Sequence, residues 1–131
     1  MNFFTPDVVF NENAAAAWDV ALARYKHHWE DISDRLPSDV RAFADHEMHD
    51  ASVERIEYSP AQQRCEIRTK IADIAISDVI DFSSDLDGEA EFAWLYDEWD
   101  IDNDGHITLA VLCDIGEFSV TGKRFEISIR S

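Results

Sequence analysis

Met48-His49-Asp50-Ala51-Ser52-Val53-Glu54-Arg55-Ile56-Glu57-Tyr58 is the stretch where the chain changes period. Upstream of it apolar residues recur at helical spacing, and downstream they alternate. Apolar residues three and four apart form one stripe on a helix, whereas alternation gives a strand one apolar face. Helices first and strands afterwards is the α+β pattern, with the helices seated on the sheet at this join.

Going back from the join, Trp18, Leu22, Tyr25, Trp29, Ile32 and Leu36 are spaced four, three, four, three and four residues apart. The spacing predicts one long helix over 14–36 with that stripe buried. Asn13 is a suitable N-cap, the run Ala14–Ala17 favours helix, and Pro37 ends it. Ser38 caps a second, short helix over 39–45 that turns Val40, Phe43 and Ala44 inward. Before these helices, Phe3, Phe4, Val8, Val9 and Phe10 surround Pro6 and read as an extended arm laid on the domain.

Going forward, Val53, Ile56 and Tyr58 mark a strand whose phase slips once near Arg55, as a bulge allows. Cys65, Ile67, Thr69 and Ile71 alternate with charged residues; Ile74, Ile76, Val79, Ile80 and Phe82 continue the sheet with a break at Ser77-Asp78. Trp94 to Trp99 suits a strand or a helical turn. Ile107 to Cys113, Phe118 to Val120 and Phe125 to Ile129 follow, divided by turns at 102–105 and near Gly116. Short connections imply mainly antiparallel neighbours, hence a meander-like sheet of about six strands under one long and one short N-terminal helix. A chain of 131 residues is one domain by size.

The composition holds 28 Asp+Glu against 11 Lys+Arg, a net charge of −17. Such a surface repels nucleic acid and anionic membrane and attracts a basic protein. There is no basic-then-apolar leader and no bilayer-length apolar run, so the expected compartment is the cytoplasm. Cys65 and Cys113 each sit within an alternating strand and read as buried, reduced thiols.

Three motifs bear on chemistry. Asp100-Ile101-Asp102-Asn103-Asp104-Gly105 matches the first half of a calcium loop, but position twelve is Val111 rather than Glu, and a hairpin turn accounts for the same residues. His46 and His49 are three apart, which is not zincin spacing; a structural role follows, with His49 hydrogen-bonding at the helix–sheet join and Asp50 turning the backbone. Asp97 and Glu98 are adjacent and on a strand point to opposite faces, so they do not form an acid–base pair. No catalytic residue, metal or cofactor is expected.

Phe4-Thr5-Pro6-Asp7, the helix from Trp18 to Tyr25, Leu36-Pro37, Met48-His49-Asp50-Ala51, Trp94 to Glu98 and Gly116-Glu117-Phe118 occur in an order that resembles a family of small, largely uncharacterised bacterial α+β proteins. These have a Leu-His-Asp start to their first strand, where Met48 departs from the Leu. Some similar proteins look like immunity proteins of polymorphic toxin systems. The resemblance implies a cytoplasmic protein that binds and neutralises a cognate toxin, and the acidity implies that the toxin is basic. The expected contact residues are Trp94, Tyr96, Asp97, Glu98, Trp99 and Asp100 with Asp85 and Asp87, since aromatic anchors within an acidic rim suit such a partner. The alternatives are a calcium- or other metal-binding module built on Asp100, Asp102 and Asp104, and a small metal-dependent hydrolase using His49 and Asp50.

Overall fold

The computed structural model describes residues 2–10, 15–45, 48–86 and 91–130. The expected cap Asn13, the pair His46-Glu47 and the acidic residue Asp87 lie outside the described residues. A one-turn helix α1 (Pro6–Val9) precedes the long α2 (Ala15–Ile32), a 3-10 turn (Ser33–Arg35) and the short α3 (Ser38–Ala44). Eight strands follow: β1 (Ala51–Ser59), β2 (Arg64–Thr69), β3 (Ala72–Ser77), β4 (Asp81–Ser84), β5 (Phe92–Ile101), β6 (Ile107–Cys113), β7 (Glu117–Gly122) and β8 (Arg124–Ile129). The fold is α+β, with every strand pair antiparallel.

The order β4-β7-β6-β5-β1-β2-β3-β8 is not a simple meander, and eight strands replace the expected six. Two long strands account for the difference. Three residues separate β3 from β4, and only Lys123 separates β7 from β8. Each pair is one strand with a kink, and the two run side by side through both halves: Ser77 faces Arg124 before the kink and Asp81 faces Thr121 after it. The ladder therefore returns on itself, with β1-β2-β3-β8 as one sheet and β4-β7-β6-β5 as the other. The kink needs glycine. A Cβ on Gly122 would stand 2.7 Å from Ile76 Cγ2 and 3.0 Å from the Ser77 carbonyl oxygen.

The two sheets meet face to face over one core. Tyr58 of β1 stacks on Phe82 of β4 at 4.7 Å, and Trp99 of β5 meets Phe125 of β8 at 5.5 Å. Between them lie Ile67, Ile74, Ile76, Leu109, Val111 and Val120, all fully buried. The β1·β2 register slips between Val53 and Arg55, so the bulge lies where the apolar phase slips in the sequence.

The other join is short. β1 pairs with β5 only through Ala51, Ser52 and Val53 against Trp94, Ala93 and Phe92. Beyond Trp94, β5 continues without β1, and α2 lies along it. A helix against one strand buries a narrow stripe. Ile32 and Ala21 are buried and Trp18, Tyr25 and Trp29 half-buried, while Leu22, expected in the stripe, is 49% exposed on its flank. α3 instead enters the core, with Val40 and Phe43 fully buried and the Phe43 ring 6.0 Å from Trp94 and 6.1 Å from Trp99. The N-terminal arm is not wholly extended, because Pro6 sits at the start of α1, where its missing N–H has no helical partner to lose.

Truncating Phe43 to Ala should cost about 3–5 kcal/mol, the price of an aromatic cavity between two indoles, while Leu22→Ala should fall within about 0.5 kcal/mol of the parent. Urea unfolding of both variants checks the contrast. Equal losses would mean that the outer flank of α2 contributes to the packing as much as α3 does.

Candidate functional site

The conspicuous polar chemistry gathers on β5 and its covering elements. A bulge between Trp94 and Tyr96 shifts the phase of the strand against β6. Trp94 and Trp99 are five residues apart, an odd spacing that would place them on opposite faces of a regular strand. The bulge turns both inward, and they are 0% and 1% exposed. As core residues they offer a partner nothing, which removes them from the expected contact set.

Asp97 comes inward with them. Its Oδ2 accepts a hydrogen bond from Trp94 Nε1 at 2.9 Å. Burial pushes its carboxyl up to about 6, with Glu98 adding repulsion, while the Trp94 N–H opposes the shift. The Trp99 indole opposes it more weakly, and its buried Nε1 meets no hydrogen-bond geometry among the described residues.

Glu98 points the other way and is 6% exposed. Its Oε1 accepts the backbone N–H groups of Phe3 and Phe4, each at 2.6 Å, and its Oε2 that of Asn2 at 2.7 Å. Three charge-assisted bonds to main-chain donors are a strong clamp on the arm. Phe4 is buried there against Trp18, Tyr25 and Tyr96, at 5.4, 5.3 and 5.7 Å between ring centres. Tyr96 is thus half-buried in an aromatic cluster.

The edge of β5 that β1 leaves unpaired is closed by side chains. The Tyr25 hydroxyl accepts the Trp99 N–H at 2.9 Å, and His28 Nε2 sits 3.1 Å from the Trp99 carbonyl oxygen, which makes that nitrogen a donor. Burial raises the Tyr25 phenol and keeps it neutral. His28 also lies 3.5 Å from Asp100, which is exposed. His49 Nδ1 is 3.0 Å from the Leu95 carbonyl, and the Asp50 N–H donates to the Trp94 carbonyl at 2.7 Å. Asp50 has a φ of 66°, a left-handed conformation that aspartate tolerates better than most residues. Both residues shape the join between the helices and β1.

The remaining acidic residues lie apart. Asp85, just after β4, is tied to the β6–β7 turn, its Oδ1 accepting the Glu117 N–H at 2.7 Å. Asp100 and Asp102 lie at the opposite end of β5 and β6, so the two expected acidic stretches do not form one patch. In the β5–β6 turn Asp102, Asp104 and His106 bring ligand atoms within 4.8 Å of one another. Asp102 Oδ1 already accepts the N–H groups of Asp104 and His106, both at 2.9 Å, and the His106 N–H leads in holding this exposed carboxyl below its usual range. Gly105 completes the turn at a φ of 86°. Cys65 and Cys113 are buried free thiols pushed up to about 12 by burial, which makes them poor nucleophiles.

Among the described residues no helix is long and apolar enough to cross a membrane. Comparison with protein-family models and with curated proteins finds no match to this chain.

Sequence reasoning missed the Glu98 clamp and the inward carboxylate of Asp97; the odd Trp94–Trp99 spacing was the available signal for the second. Asp97 binds a proton more tightly folded than unfolded, so its contribution is fully present below about pH 4 and is lost as the pH rises through about 6. Asp97→Asn should therefore match the parent near pH 4 and be more stable by about 1–3 kcal/mol at pH 7.5, as denaturant unfolding across that range would read. A variant less stable at pH 7.5 would show that the charged carboxylate is itself held favourably.

Proposed function

We propose that the protein is a binding protein of immunity type, which neutralises a basic toxin domain by occluding it. The observation that carries this reading is the sorting of charge over the fold. Residues 51–78 and 123–130, which supply the sheet β1-β2-β3-β8 and its flanking turns, hold seven of the eleven Lys+Arg and only six of the 28 Asp+Glu. The rest of the chain holds four and 22. A field so one-sided orients an approaching cationic protein as well as attracting it.

The β6–β7 turn is the best docking point within the acidic part. Ile115 at its tip is 53% exposed, and exposed Asp85, Glu91 and Asp114 surround the strand ends beside it. Asp85 binds the turn, Asp114 Oδ1 accepts the Ala93 N–H, and Glu91 accepts from Ser52 Oγ. An apolar tip within a polar rim is the arrangement that concentrates binding energy. Tyr96, Asp97 and Glu98 are committed to the arm and the core, and they take no part in this contact.

The test is co-expression with the product of the adjacent gene, followed by binding kinetics at several salt concentrations. Association should slow steeply as salt rises, Glu91→Lys should slow it on the order of tenfold at low salt, and Ile115→Asp should chiefly speed dissociation. No complex and no protection from the neighbouring product would overturn the reading.

A second reading rests on the Asp102, Asp104 and His106 ligand atoms, which suit a weakly held cation. With one Asp102 oxygen committed to two backbone donors, calorimetric titration with calcium should show no heat at micromolar affinity. Saturable binding that is lost in Asp104→Ala would favour this reading over the first.

A further inference from the structure

We infer that the second half of β1 is the contact between two copies of this chain, which pair antiparallel through Glu54–Ser59 to extend the sheet from one copy into the other. The short join between the sheets leaves two half-edges. One is β5 beyond Trp94, which Tyr25, His28 and His49 close. The other is β1 beyond Val53, which pairs with β2 on one side and with no described strand on the other. An open strand edge carries a row of unpaired N–H and C=O groups and is a template for another strand.

A groove of about 560 Å³ runs over the hairpin at this point, lined by β1 from Ile56 to Ser59 and by Gln62, Arg64 and Glu66 across from it, so it borders the β1–β2 pair and is not a slot beside the free edge alone. Ile56 and Tyr58 are half-buried toward the core, whereas the Arg55 and Glu57 side chains are 63% and 51% exposed on the outer face.

Charge selects the occupant. Two copies at −17 each repel over most of their surfaces, but the sheet that β1 borders is close to neutral, with seven basic and six acidic residues. Charge also selects the register. Residues paired across a continuous sheet must share a face, so a twofold axis passes through a residue rather than between two. Centred on Arg55 or on Glu57, it sets like charges opposite each other, which is destabilising. Arg55 and Glu57 already pair with each other within one copy. Centred on Ile56, the axis sets each Arg55 opposite the second copy's Glu57 as well, so the two intrachain pairs join into one cluster of four alternating charges on the outer face, with the two Ile56 side chains meeting on the inner one. The edge is thus matched to itself in one alignment.

The experiment is sedimentation equilibrium of the full chain and of Arg55→Glu, Glu57→Arg and the exchanged pair Arg55→Glu/Glu57→Arg. Circular dichroism and urea unfolding check that each variant folds. The parent should be a dimer, each single reversal should weaken dimerisation on the order of tenfold, and the exchange should restore it. A parent that stays monomeric to its solubility limit overturns the proposal. So does a dimer that ignores both single reversals, or one that the exchange fails to restore. Hydrogen exchange is a second readout independent of these variants. Amide protection over residues 54–59 should rise with protein concentration, and protection independent of concentration would place any dimer contact elsewhere.

Discussion

Three residue pairs, Ala51 to Val53 against Trp94 to Phe92, carry the whole hydrogen-bonded connection between β1 and β5. Had this ladder been as long as the strands, no helix would be needed at the β5 edge and no open edge would be left along β1. Because it is short, nearly every polar residue of interest has the same task, which is to satisfy backbone groups that a neighbouring strand would otherwise have taken. Tyr25, His28 and His49 do this for β5, and Glu98 does it for the arm. A buried, unpaired backbone group costs as much as a lost hydrogen bond, so these contacts are requirements of the fold before they are candidates for chemistry.

The opposite corner solves a related problem differently. There β3 runs into β4 and β7 into β8, so two continuous strands belong to both sheets. The bend is tight enough that Gly122 has no room for a side chain against Ile76. One corner is covalent and closely packed; the other is a brief ladder reinforced by helices. The core between them is apolar apart from Thr69, whose hydroxyl is hydrogen-bonded to the Ala72 backbone, and the inward Asp97, whose carboxylate opposes folding at neutral pH.

Element type was largely legible in the sequence, because it leaves a local period. The α2 stripe, the switch at Met48 and the alternation from Cys65 onward all gave the right kind of element, and Val53 to Arg55 marked a bulge. Strand order was not legible. Pairing β1 with β5 and β3 with β8 leaves no mark in either segment, since both partners present the same alternation in any order. The break at Ser77-Asp78 was visible, but a kink within one strand and a gap between two look alike as letters. The aromatic stretch misled for a physical reason: a spacing of five from Trp94 to Trp99 puts one outside unless a bulge intervenes, and the bulge is set by pairing with β6. The acidity was plain as a total. Its uneven distribution became visible only once the strands were assigned to sheets.

The two cysteines acquire a use from their placement. Cys65 lies on β2 in one sheet and Cys113 on β6 in the other, both buried. Burial that suppresses the thiolate makes each silent to a thiol reagent while its own sheet is closed. The protein thus carries one internal reporter per layer, and modification of Cys65 alone, Cys113 alone or both together distinguishes a molecule that opens sheet by sheet from one that opens as a unit.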